Sequence, residues 1–85
     1  MDRVVFGRTF LKDARKLPAA QQKKLAALLE ELAADPFSPL LHSKPLSGPL
    51  TGQYSFRITR DWRVVFVFVD REKVKLIDVL HRKDI

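Results

Sequence analysis

Six positions in the second half of the chain carry side chains suited to chemistry on a phosphate. They are Lys44, in a Lys44-Pro45-Leu46 segment, then Arg57, Asp61 and Arg63 on two strand-like runs, and finally His81 followed by Arg82. Guanidinium and ammonium groups can hold phosphate oxygens, and a carboxylate and an imidazole can move protons. In a chain of net charge +6 without cysteine, such a set meets the requirements of phosphodiester cleavage without a metal. A basic pair of surface strands would show the same residues, so the elements that carry them decide whether they can meet.

Composition narrows the classes. At 85 residues, 46% hydrophobic and 31% charged, the chain fits one small globular domain that must bury most of its apolar residues to hold a fold. Sixteen Lys and Arg against ten Asp and Glu favour an anionic partner such as nucleic acid, an acidic protein or a phosphate-rich surface. A merely soluble basic domain is the plainer alternative. Without cysteine there is no disulfide, no thiol nucleophile and no common structural zinc site, and two isolated histidines make no metal cluster. The longest apolar run is too short to span a bilayer, and Met1 leads straight into strand-like residues with no signal peptide. A cytoplasmic protein with no cofactor and no membrane association is expected.

The pattern of residues predicts a first strand near residues 2–7, since Arg3-Val4-Val5-Phe6 is β-favouring and Gly7 closes it. A helix follows, with Thr9 as its cap and Phe10, Leu11, Ala14 and Leu17 on one face. Pro18 ends it and suits the first turn of a second helix, whose stripe is Leu25, Leu28, Leu29 and Leu32 and whose stop is Asp35-Pro36. Arg15, Lys16, Lys23 and Lys24 fall on the solvent side. From Pro36 to Gly52 four prolines and two glycines read as an extended loop, and a loop of that length in so small a domain asks for a function. Alternating residues then mark strands at Tyr54–Thr59, Trp62–Val69 and Lys73–Leu80. The order indicates an α+β domain, with an N-terminal strand, a two-helix hairpin and a three-stranded antiparallel meander, the helices packed on one sheet face.

Register decides which side chains share a face, because a slip of one residue reverses them all. A two-residue loop that sets Thr59 opposite Trp62 would bury Arg57 among Val64, Phe66 and Phe68, at a cost of several kcal/mol unless paired. Setting Thr59 opposite Arg63 instead puts Phe56, Ile58, Val64, Phe66 and Phe68 in the core and Arg57 with Arg63 outside. Opposing Val69 to Lys73 extends the parity to the last strand. Val74, Leu76 and Leu80 are then core, and Lys75, Ile77, Val79 and His81 lie outside, with His81 opposite Asp61. Asp78 does not fit, since its parity points it at the helices, where a helix Lys or Arg would have to pair with it. The outer face also carries Val65, Val67, Ile77 and Val79, apolar enough to accept a partner protein.

The stretch Pro45-Leu46-Ser47-Gly48, the run Tyr54-Ser55-Phe56-Arg57-Ile58-Thr59, then Asp61-Trp62-Arg63-Val64-Val65-Phe66 and the terminal Val79-Leu80-His81-Arg82 together resemble the RelE/ParE toxin superfamily, over essentially the whole chain. The likeness is greatest to its YoeB and YafQ type ribonucleases, bacterial toxins that cleave mRNA, usually on the ribosome, and are neutralised by an antitoxin. The resemblance implies a catalytic set. Arg63 matches the strand arginine that contacts the scissile phosphate, and His81 the late histidine that serves as general acid. Arg57 falls on a substrate-contact position, and Asp61 on an aspartate of the YafQ-like turn. Lys44 stands where YoeB has an acidic general base and YafQ a histidine; an ammonium is a poor base, so either neighbouring Arg57 and Arg63 alter it or Asp61 takes the role. The sequence as given reaches Ile85 without the aromatic residue that many members place on a base.

The chemistry so implied is attack of a ribose 2′-OH on the adjacent phosphorus, giving a 2′,3′-cyclic phosphate and releasing the 5′-oxygen of the next nucleotide. Arg57 and Arg63 would stabilise the phosphorane oxygens, and Arg57, Arg60, Arg82 and Lys83 are candidate RNA-backbone contacts, with Lys73 and Lys75 further along the last strand. His42 reads as a loop histidine, and Trp62 and Tyr54 as core or sheet-margin aromatics that could also stack on bases. The expected partners are a cognate acidic antitoxin, mRNA and the ribosome. Two alternatives stand beside this one, namely a ParE-like inhibitor of DNA gyrase and a non-catalytic binding module.

Overall fold

The computed structural model describes residues 3–84; Asp2, included in the expected first strand, lies outside them. Strand β1 (Arg3–Phe6) leads into helices α1 (Arg8–Ala14) and α2 (Ala19–Ala34), and strands β2 (Lys44–Pro45), β3 (Tyr54–Arg57), β4 (Trp62–Asp70) and β5 (Lys73–His81) follow. They form one five-stranded sheet in the order β1-β5-β4-β3-β2, with β1 parallel to β5 and the other neighbours antiparallel. This is the α+β arrangement expected from the sequence, enlarged by a fifth strand.

Local chemistry explains the helix boundaries. Gly7, not Thr9, is the N-cap of α1, because the Gly7 amide still donates to the Leu76 carbonyl at 2.9 Å while its own carbonyl already accepts from Leu11. A Cβ at Gly7 would run into that Leu76 oxygen, so the close approach of backbone to backbone requires glycine there. Pro18 is the N-cap of α2 rather than its first-turn residue, and its carbonyl accepts from Gln21 and Gln22. The Gln22 side chain then donates to the carbonyls of Arg15 and Leu17, at 3.0 and 2.8 Å, which satisfies the end of α1.

Both helices cover one sheet face. Phe10 of α1, Leu17 in the turn that follows it, since α1 ends at Ala14 and not at Pro18, and Leu25, Leu28 and Leu32 of α2 pack on Phe56, Ile58, Val64, Phe66, Val74, Leu76 and Val79. Leu11, expected on the inner stripe, is 41% exposed, because one residue turns a helix by about 100° and Phe10 occupies the buried direction against Phe6.

The proline-rich segment is pinned rather than extended. Ser38 is buried, and its hydroxyl donates to Glu31 of α2 at 2.7 Å; the Ser43 hydroxyl donates to the Pro36 carbonyl at the same length. Beyond them Lys44 and Pro45 pair with Ser55 and Tyr54 as the edge strand β2, and the Leu46 amide extends that ladder to Gln53. A two-residue strand containing proline carries almost no periodic signal, which is why the sequence reads as loop there.

Two details of register differ from expectation. Arg57 stands opposite Arg63 and Phe56 opposite Val64, a shift of two residues that keeps every face correct. The cause is a turn centred on Arg60 instead of Asp61, in which the Thr59 hydroxyl accepts from the amides of Asp61 and Trp62 while Ile58 and Thr59 donate to the Trp62 carbonyl. The second difference reverses faces. Phe68, Val67 and Phe66 oppose Val74, Lys75 and Leu76 as expected, but a bulge at Ile77 then sets Val64 opposite Val79, Arg63 opposite Leu80 and Trp62 opposite His81. Val79 is therefore core, 5% exposed, and not part of an outer apolar surface.

Candidate functional site

The sheet face turned away from the helices carries the cations. On β3, Tyr54 and Phe56 point inward, and Ile58 just beyond the strand does the same, so the alternating Ser55 and Arg57 point outward. On β4 the inward set is Trp62, Val64 and Phe66, so Arg63 and Val65 point outward. Two cross-strand rows result, one running Lys44, Ser55, Val65, Asp78 and the next Arg57, Arg63, Leu80. Leu46 and Val65 are buried yet stand outside the cluster beneath the helices, so the outer face has a small apolar floor of its own.

Electrostatically this arrangement is unfinished. Directly opposed like charges destabilise a strand pair, and no carboxylate offsets Arg57 and Arg63 among the salt bridges of the described residues. The Arg57 Nε and the Ser55 hydroxyl are both buried without a hydrogen-bond partner. Buried polar groups are nearly always satisfied, and these two, on one strand at outward positions, are the exceptions among the described side chains. Ser55 was not among the residues singled out from the sequence; its only signal was a small polar side chain at an outward position between two cationic ones.

Asp61 and Arg82 close the end of this face. The Arg82 amide donates to the Asp61 carbonyl at 2.7 Å, and its guanidinium meets the Asp61 carboxylate at 3.3 Å. Both side chains are about half exposed, so the pair contributes little to stability. It does fix Arg82 beside the strand end that carries Arg63, and it engages the carboxylate with a cation. Arg60 is exposed at the turn, while Lys73 and Lys75 sit at the opposite end of β5.

His81 is not on the arginine face. Its ring stands edge-on to Trp62 at 5.1 Å and 82°, and both line a hollow on the helix side with Asp13 of α1 and with Lys16 and Leu17 of the turn after it. The Lys83 amide donates to His81 Nδ1 at 3.3 Å. The expectation that Arg57, Arg63 and His81 share a face is thus corrected, and the cause is the Ile77 bulge. Lys83 lines the same hollow. His42 is exposed in the loop with a left-handed backbone, φ 52°. Tyr54 belongs to the aromatic cluster with Phe37, Phe66 and Phe68.

Asp78 stands opposite Val65 in the outer row, yet its carboxyl meets that of Asp13 on α1 rather than a Lys or Arg. Burial first, then the hydrogen bond and the charge of Asp13, push its pKa from 3.8 up to about 6, against a smaller opposing bond from the Val79 amide. Folding therefore favours the protonated acid. The resulting stabilisation is present below about pH 4 and is lost as the pH rises through about 6. Asp78→Asn is expected to melt higher than the parent at pH 7.5 and to lose that advantage at pH 4; equal melting temperatures at both pH values would refute the pairing.

Comparison with known proteins places the chain. A family model for the ParE toxin of the type II toxin-antitoxin system, parDE, matches residues 4–85. Toxin YoeB of Synechocystis is 34% identical over 50 residues, which span 59% of this chain and 58% of that protein. Among solved structures, the YoeB/ParE toxin from Agrobacterium tumefaciens superposes with a TM-score of 0.78 at 23% identity, over 96% of this chain and 99% of that one. The toxin-antitoxin complex RelBE2 from Mycobacterium tuberculosis contains a chain that superposes with a TM-score of 0.69 at 30% identity, over 95% of this chain and 98% of its own length. The sheet order, the helical hairpin and the match from Val4 onward agree, and the chain belongs to the ParE toxin family of type II toxin-antitoxin systems, within the RelE/ParE superfamily.

Proposed function

We propose that this protein is an RNA-cleaving toxin whose outer sheet face, built by Lys44, Arg57, Arg63 and Arg82, grips a phosphodiester. The observation that carries the proposal is the opposed Arg57 and Arg63 pair with the buried, unpartnered Nε of Arg57. Guanidinium forks held on adjacent strands suit the equatorial oxygens of a phosphorane. The 2′-OH attacks the neighbouring phosphorus, the bond to the 5′-oxygen breaks, and a 2′,3′-cyclic phosphate and a 5′-OH result. With His81 on the other face and Asp61 engaged by Arg82, stabilisation of the phosphorane charge carries more of this reaction than a histidine acid does. Lys44 is the member of the set on the arginine face best able to pass a proton.

The test uses purified protein and mRNA with EDTA present, alone and in a translating extract. Fragments ending in 2′,3′-cyclic phosphate, and protection of a cleaved position by 2′-O-methylation, are the expected results. The position of His81 also favours a second reading, in which the toxin acts by binding. Intact mRNA in the extract together with inhibition of gyrase supercoiling establishes that reading instead. In either case the partner is an antitoxin, as in the RelBE2 complex, acidic enough to complement the +6 charge. Phe6 and Leu11, 49% and 41% exposed, flank the groove between the helices where its apolar residues would seat.

A further inference from the structure

We infer that the hollow on the helix side of the strand ends is a nucleobase pocket, receiving a base whose neighbouring phosphate lies on the arginine face. The pocket encloses about 350 Å³, within the range of small-ligand sites, which begins at about 300 Å³. Leu17 and Val79 floor it, Trp62 and His81 wall it, and Lys16 and Lys83 stand at its rim with Asp13 and Asp84.

The chemistry fits a flat heterocycle. Trp62 and His81 meet edge-to-face, so a planar ring can lie on one and meet the edge of the other, and stacking on aromatics is indifferent to which base is present. Rim groups of both signs match base edges, which carry acceptors for ammonium and amino donors for carboxylate. An aliphatic or purely anionic ligand would leave one of these sets unmatched.

Continuity with the arginine face supplies the second argument. Trp62 and Arg63 are consecutive on β4, and alternation sends their side chains to opposite faces of the sheet at its exposed end. His81 and Arg82 likewise join the pocket to the cation held by Asp61. A strand of RNA crossing this end meets guanidinium on one side and an aromatic pocket on the other within a single residue step. The inference rests on the RNA reading for its biological sense, but the pocket is testable without phosphate.

Trp62 is the sole tryptophan and therefore reports the pocket directly. Adenosine, guanosine, cytidine and uridine are titrated into the full chain with excitation at 295 nm, and amide shifts of the unaltered protein are mapped in parallel by NMR. At least one nucleoside is expected to change Trp62 emission saturably and to shift the amides of Lys16, His81 and Lys83. His81→Ala should weaken that response about tenfold, as loss of one stacking contact does, and His81→Phe should restore it. Arg57→Leu/Arg63→Leu should leave nucleoside binding in place while removing RNA cleavage, so the two readings fail separately. No saturable response to any nucleoside, shifts confined to the arginine face, or a response that His81→Ala does not alter would overturn the inference. So would binding of N-acetylphenylalaninamide as tight as that of the nucleosides, which would mark the hollow as a seat for a partner's aromatic side chain.

Discussion

Replacing Arg63 by leucine is expected to lower RNA cleavage by about 10² to 10³-fold, the usual loss when one preorganised charge-stabilising group is removed, without lowering the melting temperature. The two outcomes belong together. Arg63 stands opposite Arg57, and removing one of two opposed like charges relieves about 0.2–1 kcal/mol of repulsion. Leucine keeps much of the apolar stem that an arginine lays along the sheet, so packing is not confounded with charge. Arg57→Leu should behave likewise, and it also removes the buried Nε that has no partner. A structural arginine behaves in the opposite way, with stability falling first and activity following it. Thermal melts and cleavage rates measured on the same preparations decide between them, and a fall of several degrees with activity preserved would rule out a phosphate-binding role.

Much of this arrangement was legible in the sequence because it depends on alternation. Phe56 and Ile58 against Arg57, and Val64 and Phe66 against Arg63, assign faces through hydrophobicity alone, and a shift of two residues in the turn cannot alter them. The helices were legible from their leucine spacing, although Leu11 was misplaced, the caps fall at Gly7 and Pro18, and α1 ends at Ala14 instead of running to Pro18. What the sequence obscured was the parity beyond Ile77. A bulge adds one residue to one strand and leaves no mark in a period-two pattern except a conflict. That conflict was present, since Asp78 fell on a core-facing position with no cation beside it. Moving the register by one residue there buries Val79, exchanges the faces of Leu80 and His81, and separates the histidine from the arginines. An acidic residue at a core position was the signal of the bulge, and the resemblance to histidine-bearing ribonucleases pointed away from it.

The hydrophobic core has to hold this repulsive face in place without a disulfide, so its central residue should be among the most costly to remove. Phe66 is fully buried on β4, pairs with Tyr54 and Leu76 across its two neighbouring strands, and has the rings of Tyr54, Phe56 and Phe68 within 6.0 Å. Phe66→Ala is expected to cost about 3–5 kcal/mol for lost transfer and the cavity left behind. A domain of this size has a total stability of about 5–15 kcal/mol, so the variant should sit near its unfolding midpoint under conditions in which the parent is folded. Urea titration measures this directly. Toxicity should fall in step with the folded fraction, in contrast to Arg63→Leu, where it falls while the fold persists. Val65→Ala provides the internal comparison, since Val65 is also buried but lies on the outer face beyond the core cluster. If Phe66→Ala cost no more than Val65→Ala, the helix-side cluster would not be the principal source of stability, and the cationic face would have to be held by its own apolar floor.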